Sequence, residues 1–172
     1  MRAALGIVGA VLVLAGCSSG TVAGDAGPVG KTAGEPVFSP CDDIPDDAVR
    51  AVGMDPATEE RDIMDVHQPG WNICMWNNDT HFVTVFSSAY TLDDVRQNPD
   101  FEEFVPVDLA GREAFTFRDV SDRVRSRCDV ATAVFGRAVM VSVSESGKTL
   151  TAEAPCDAAL RVAQVFEPYL PE

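Results

Sequence analysis

WNICMWNNDTHFVTVFSS, residues 71–88, is the stretch on which the fold turns. Its centre, Asn77-Asn78-Asp79-Thr80, is a cluster of turn formers whose short side chains bond to their own backbone. The flanks, Trp71–Trp76 and His81–Ser88, are rich in aromatic and β-branched residues and read as strands. Two strands joined by so short a turn pair antiparallel. Downstream, Thr91-Leu92-Asp93-Asp94 resembles a capping box that opens a short helix ending before Pro99. Strands at Phe104–Leu109 and Glu113–Arg118 follow, around Ala110-Gly111-Arg112. Two more, Arg125–Val134 and Ala138–Ser144, flank Phe135-Gly136-Arg137. Cys156–Phe166 closes the chain as a helix with Ala159, Leu160, Ala163 and Phe166 inward. Upstream, Asp42–Val52 is expected to form one helix with Ile44, Ala48, Val49 and Val52 inward, stopped by Gly53. The class is therefore α+β: an antiparallel sheet with N- and C-terminal helices packed on one face.

A chain of 172 residues with 46% hydrophobic and 23% charged residues suits one globular domain. Acids outnumber bases 27 to 13, for a net charge of −14. That balance disfavours nucleic acid, because phosphate contacts need clustered Lys and Arg. It also disfavours a domain lying flat on an anionic membrane.

Ala3–Ala15 holds only apolar residues and Gly, behind the single charge of Arg2. At ~1.5 Å per helical residue the run spans roughly 20 Å, short of the ~30 Å hydrocarbon core. It reads as a signal-peptide h-region. Leu14-Ala15-Gly16-Cys17 looks like a bacterial lipobox, which implies cleavage after residue 16 and diacylglycerol with further acylation, such as palmitate, at Cys17. Gly16-Cys17-Ser18-Ser19-Gly20 also fits a G-x-S-x-G nucleophile elbow, but it has no strand before it and no helix after it. Residues 17–37 are Gly-rich and without periodicity, and read as a lipidated cysteine and its tether. Residues 38–172 form the single expected domain, placed outside the cytoplasmic membrane and anchored to it through Cys17.

Cys41, Cys74, Cys128 and Cys156 remain, an even number that reads as two disulfides outside the reducing cytoplasm. Their spacing offers no C-x-x-C pair and no zinc pattern, and no cofactor or metal is expected. Three pairings are possible. Pro40-Cys41-Asp42 and Pro155-Cys156-Asp157 both open helix-like segments, whereas Cys74 and Cys128 lie in strand-like text. Joining each helix start to a strand favours Cys41–Cys74 and Cys128–Cys156.

These features together resemble the actinobacterial lipoproteins of the domain-of-unknown-function 3558 family, which has mycobacterial members. The matching residues are Cys17 and its tether, Phe38-Ser39-Pro40-Cys41-Asp42, Cys74-Met75-Trp76, Gly111-Arg112-Glu113-Ala114 and the Cys128 and Cys156 pair. The resemblance covers about residues 38–170 and implies an envelope lipoprotein with no assigned activity. The element order is also similar to Mog1p/PsbP-like sandwiches, an analogy of fold alone.

Several side chains invite chemistry. His67 and His81 are the only histidines and would each need a carboxylate to act as a base or ligand. Asp42, Asp43, Asp46 and Asp47 cluster without calcium-loop spacing, and acids in a first helical turn commonly answer the dipole. Glu102, Glu103 and Asp108 are candidate members of a glycosidase pair. Arg123, Arg125 and Arg127 alternate as if on one strand face, where they would meet an anionic ligand or pair with Asp119, Asp122 and Asp129. Trp71 and Trp76 are five apart and so face opposite sides of a strand; core packing is the favoured reading for both, with an edge or a ligand pocket the alternative for one of them. Asn78-Asp79-Thr80 matches a glycosylation sequon and is read as a hairpin turn. No nucleophile, base and orienting group fall together. The expected function is therefore non-enzymatic binding of an envelope ligand or protein by a monomeric domain, on the sheet face left open by the helices. The alternatives are an accessory subunit of a secretion or transport assembly and, less favoured, an envelope hydrolase.

Overall fold

The computed structural model describes residues 34–146 and 153–172. The expected signal segment 1–16, the lipidation candidate Cys17 and the expected tether up to residue 33 lie outside the described residues.

The hairpin at residues 71–88 is the seed of the architecture. Strands β2 (Trp71–Asn77) and β3 (His81–Ser88) pair in continuous register from Trp71 opposite Ser88 to Asn77 opposite Phe82. Asn78 closes the turn: its Oδ1 accepts from the backbone N–H groups of Thr80 and His81, both at 2.8 Å. Ahead of the hairpin come helices α1 (Pro40–Asp43) and α2 (Asp46–Ala51) and strand β1 (Asp55–Arg61). After it come α3 (Leu92–Gln97), β4 (Phe101–Leu109), β5 (Arg112–Asp119), β6 (Arg127–Val134), β7 (Arg137–Glu145) and α4 (Pro155–Phe166). Among the described residues the strands form one sheet of seven, ordered β1-β2-β3-β7-β6-β5-β4 and antiparallel throughout. The β3–α3–β4 link carries the chain across the sheet to the far edge, and the remaining strands meander back until β7 pairs with β3.

The period of two along each strand sorts side chains onto two faces. The first face carries Trp76, Val83, Val85, Val130, Val141 and Val143. Over it lie α1, α2 and α4, which contribute Ile44, Val49, Val162 and Phe166, so the terminal helices do share one face. Each large side chain buried here contributes roughly 1.5–3 kcal/mol of transfer free energy. Cys41 is bonded to Cys74 and Cys128 to Cys156, which fastens α1 to β2 and α4 to β6 with Cα separations of 5.2 and 4.9 Å. On the second face Phe115, Phe117, Ala131 and Met140 pack against Leu92 and Val95 of the short helix α3.

Three expectations need correction. The helix expected over Asp42–Val52 is broken in two at Ile44-Pro45. Pro45 lacks an N–H and forces the residue before it out of the helical region, and Ile44 is extended at φ −92°, ψ 114°. Strand β1 was not anticipated. Its sequence, Asp-Pro-Ala-Thr-Glu-Glu-Arg, has little apolar alternation because it is an exposed edge strand. Charge and proline are the usual protection of such an edge. Strand β6 begins at Arg127 rather than Arg125, because Asp122 accepts from the N–H groups of Ser126 (3.2 Å) and Arg127 (2.8 Å) and holds the preceding residues in a turn.

Candidate functional site

The second face is only partly roofed. Between α3 and the sheet lies a groove of about 480 Å³, lined mainly by Trp71, Tyr90, Val95, Pro99, Phe101 and Met140. Asp94, Gln97 and Asn98 supply its polar rim. Trp71 stands edge-on to Phe86 at 6.3 Å and tilted against Tyr90 at 5.5 Å. Phe101 rests on Phe117 at 4.7 Å. Edge and tilted contacts suit the ring quadrupoles and hold the aromatic wall in place.

A helix of six residues needs help to persist. Thr91 Oγ1 accepts from the Asp94 N–H at 3.2 Å, and the Asp94 carboxylate accepts from the Thr91 N–H at 2.8 Å. This is the capping box expected from the sequence. The Thr91 backbone N–H, then its hydroxyl, hold the Asp94 carboxyl below its ordinary range, and Arg137 adds to this. Arg96 clamps the other side of the helix: its guanidinium lies 4.3 Å from the Phe115 ring centre and donates to Glu113 at 2.8 Å. At Asn98-Pro99 the chain turns extended and the helix stops.

The two tryptophans part as the strand period requires. Trp71 lines the groove, while Trp76 is 1% exposed in the core of the first face, against Phe166. As a candidate ligand contact Trp76 is therefore corrected to a core residue.

The arginine stripe is not one face. Arg123 and Arg125 lie in the loop ahead of β6, and Arg125 takes a positive φ of 57°. Arg125 reaches Glu103 at 2.6 Å, and that bond holds the Glu103 carboxyl below its usual range. Arg127 alone projects from the strand. Its guanidinium donates to Asp129 at 2.7 and 3.0 Å and lies 6.0 Å from the Phe86 ring centre. Asp129 is 1% exposed, and burial pushes its carboxyl above the usual range despite Arg127 and the Ser142 hydroxyl. Burial works against the charge on Arg127, but Asp129, Asp119 and Asp122 together make it hold its proton more firmly.

The other candidates disperse. Glu103, at a bulge in β4, is engaged by Arg125 and Arg118, and among the described residues no second carboxylate is paired with it. Asp108 accepts from the Gly111 N–H in the turn after it. The acids near α1 and α2 are met by arginines: Arg61 and Ser39 bond to Asp42 and lower its carboxyl to about 2, and Arg50 pairs with Asp46 and Asp47. His67 lies 3.3 Å from Glu35 and 3.5 Å from Asp62. His81 shares a 2.9 Å hydrogen bond with Thr80 on the opposite face from the groove. Cys41, Cys74 and Glu59 come within 4.8 Å of one another, but the two sulfurs are bonded to each other and so are not ligands. Of the groove residues Trp71 is among the sequence candidates, whereas Phe101 and Met140 are not, because only the crossover of the chain brings them to the groove.

A family model described as "Protein of unknown function (DUF3558)" matches residues 12–169. No curated protein and no solved structure matches the chain.

Proposed function

The chain belongs to the DUF3558 family, and from that premise we propose a lipid-anchored envelope protein that binds a small apolar or amphipathic molecule in the groove beneath α3. The groove carries this reading. Its volume of about 480 Å³ lies within the ~300–1,000 Å³ common for small-molecule sites, and an apolar wall with a few rim polar groups is their usual chemistry. The Leu14–Cys17 motif and the tether support attachment at Cys17 to the outer face of a bacterial, on the family resemblance actinobacterial, cytoplasmic membrane. Two acyl chains or more suffice for stable anchoring. The activity proposed is binding and not catalysis.

The chain without residues 1–17 should bind the neutral dye Nile red saturably, quenching Trp71 emission while Trp76 stays silent. Trp71→Ala should weaken binding about ten-fold, the equivalent of ~1.4 kcal/mol, and Trp76→Phe should not. Asp94→Ala should weaken it too by unfastening α3. The folded pKa of Asp94 is lowered, so its contribution is full above the unfolded value of about 3.9 and is lost as pH falls through the folded one. Dye binding should therefore hold at neutral pH and weaken progressively as pH falls below about 4. Binding that is non-saturable, or indifferent to Trp71, would sink the groove reading.

The anchor has its own measurement. Labelled fatty acid fed to the producing bacterium should enter the wild-type chain and not Cys17→Ala. An unlabelled wild-type chain that leaves the membrane without detergent would refute it.

A further inference from the structure

Among the described residues, one end of the sheet differs from the other. At this end lie the start of the described chain, the β1–β2 loop, the β3–α3 connection and the β4–β5 and β6–β7 turns. They are knitted together. Asn72 Nδ2 donates to the carbonyls of Pro36 and Phe38 at 3.0 and 2.9 Å, Glu35 reaches His67 at 3.3 Å, and Arg137 donates to the Ala89 carbonyl at 2.6 Å. From this frame Val37, Ile63, Met64, Val66 and Phe135 project into solvent, with Met64 87% and Val37 81% exposed. Val37 and Phe135 border one cavity. Met64 and Phe135 also sit at positive φ, 54° and 49°, where a bulky side chain is strained and Gly or Asn would be at ease. Large apolar residues in strained, outward-facing turns call for a function beyond folding. At the opposite end, the β5–β6 loop holds Val120 and Val124 among Asp119, Asp122, Arg123 and Arg125.

We infer that this end is a membrane-facing tip, whose apolar side chains enter the interface of the bilayer that holds the chain's own anchor. The inference rests on the lipid-anchor reading above. The path of the chain supports it. The described residues begin at Gly34, at this end, and Cys17 lies 17 residues before it. Seventeen residues can reach at most about 60 Å, so an anchor at Cys17 keeps this end close to the bilayer. The end from which it leaves is the end that meets the membrane most often. Glu35, Asp62 and Asp65 stand among these side chains, so the headgroups that suit the tip are zwitterionic rather than anionic. The Trp71 and Tyr90 side of the groove opens beside this same end, within reach of a molecule leaving the lipid phase.

The experiment places a tryptophan at each end of the lipidated chain, in a Trp71→Phe background that leaves only buried Trp76. Met64→Trp reports the tip. Val124→Trp, at a site 83% exposed, reports the far end. Both are reconstituted into phosphatidylcholine vesicles with brominated acyl chains and floated on a density gradient. Met64→Trp should shift to the blue and lose about half its emission, as expected for a side chain ~5–10 Å into the interface. Val124→Trp should keep its emission. Chains that float but show no quenching at Met64→Trp overturn the tip and leave the anchor standing. Equal quenching at both ends means a domain lying flat, and overturns it too. A concentration-dependent blue shift without quenching assigns the tip to a second copy instead. Chains that do not float remove the anchor, and the tip with it.

Discussion

Replacing Cys128 and Cys156 together by alanine is expected to lower the stability of the domain by about 3.6 kcal/mol. The bond closes a span of 28 residues, and that figure is the loop-entropy value for such a span. Domains of this size are commonly stable by only ~5–15 kcal/mol, so the loss is a large fraction of the whole. Helix α4 depends on this bond in a particular way. Its face of Ala158, Ala159, Val162, Ala163 and Phe166 is mostly small, and its first turn has no side-chain cap. The disulfide places that first turn at β6 before the small residues have to hold it. Urea unfolding should show the midpoint falling by about 2 M, for a slope near ~2 kcal/mol/M. A shift smaller than a quarter of that would mean that the apolar face alone holds α4.

Arg127→Leu should be nearly as damaging, for an electrostatic reason. The substitution leaves Asp129 at 1% exposure without its main counter-charge. Breaking a buried pair costs ~3–5 kcal/mol, and the lower end applies here because about a third of the Arg127 side chain meets solvent. The pH dependence identifies the cause. The folded pKa of Asp129 is already raised by burial and rises further without Arg127. Such a carboxyl favours the folded state fully below the unfolded value of about 3.9, and this contribution is lost as pH rises through the folded value. The variant should therefore recover toward wild-type stability near pH 4 and be weakest at neutral pH. The double variant Arg127→Leu/Asp129→Leu should regain most of the loss at pH 7. A deficit that is independent of pH and persists in the double variant would point to lost packing on Phe86 instead.

Local signals in the sequence proved reliable where the controlling contacts are local. The Thr91–Asp94 box, the Asn78 turn and the opposite facing of Trp71 and Trp76 all depend on residues within a few positions of one another. The repeated Pro-Cys-Asp at two helix starts led to the disulfide pairing found in the structure. Pro45 could have been read as a break in the first helix, because the rule for the residue before proline is equally local. Strand β1 could not be read from hydrophobic period, since an edge strand buries too little to have one. The groove was beyond reach for another reason. Trp71 shares the groove with Met140 and Phe101 because a crossover places β7 between β3 and β6, and strand order of that kind leaves no trace in spacing. The Arg125–Glu103 pair was hidden likewise, because it joins a loop to a bulge in β4.

The strand order divides the molecule into two halves, β1–β3 and β4–β7, that meet along a seam from Ser87 opposite Val139 to His81 opposite Glu145. Each half carries its own covalent staple, and neither staple crosses the seam. Trp71 belongs to one half, and Met140 and Phe101 to the other. An occupant of the space between them would act as a clasp, so the two halves would be held most firmly when it is full and would part most easily when it is empty.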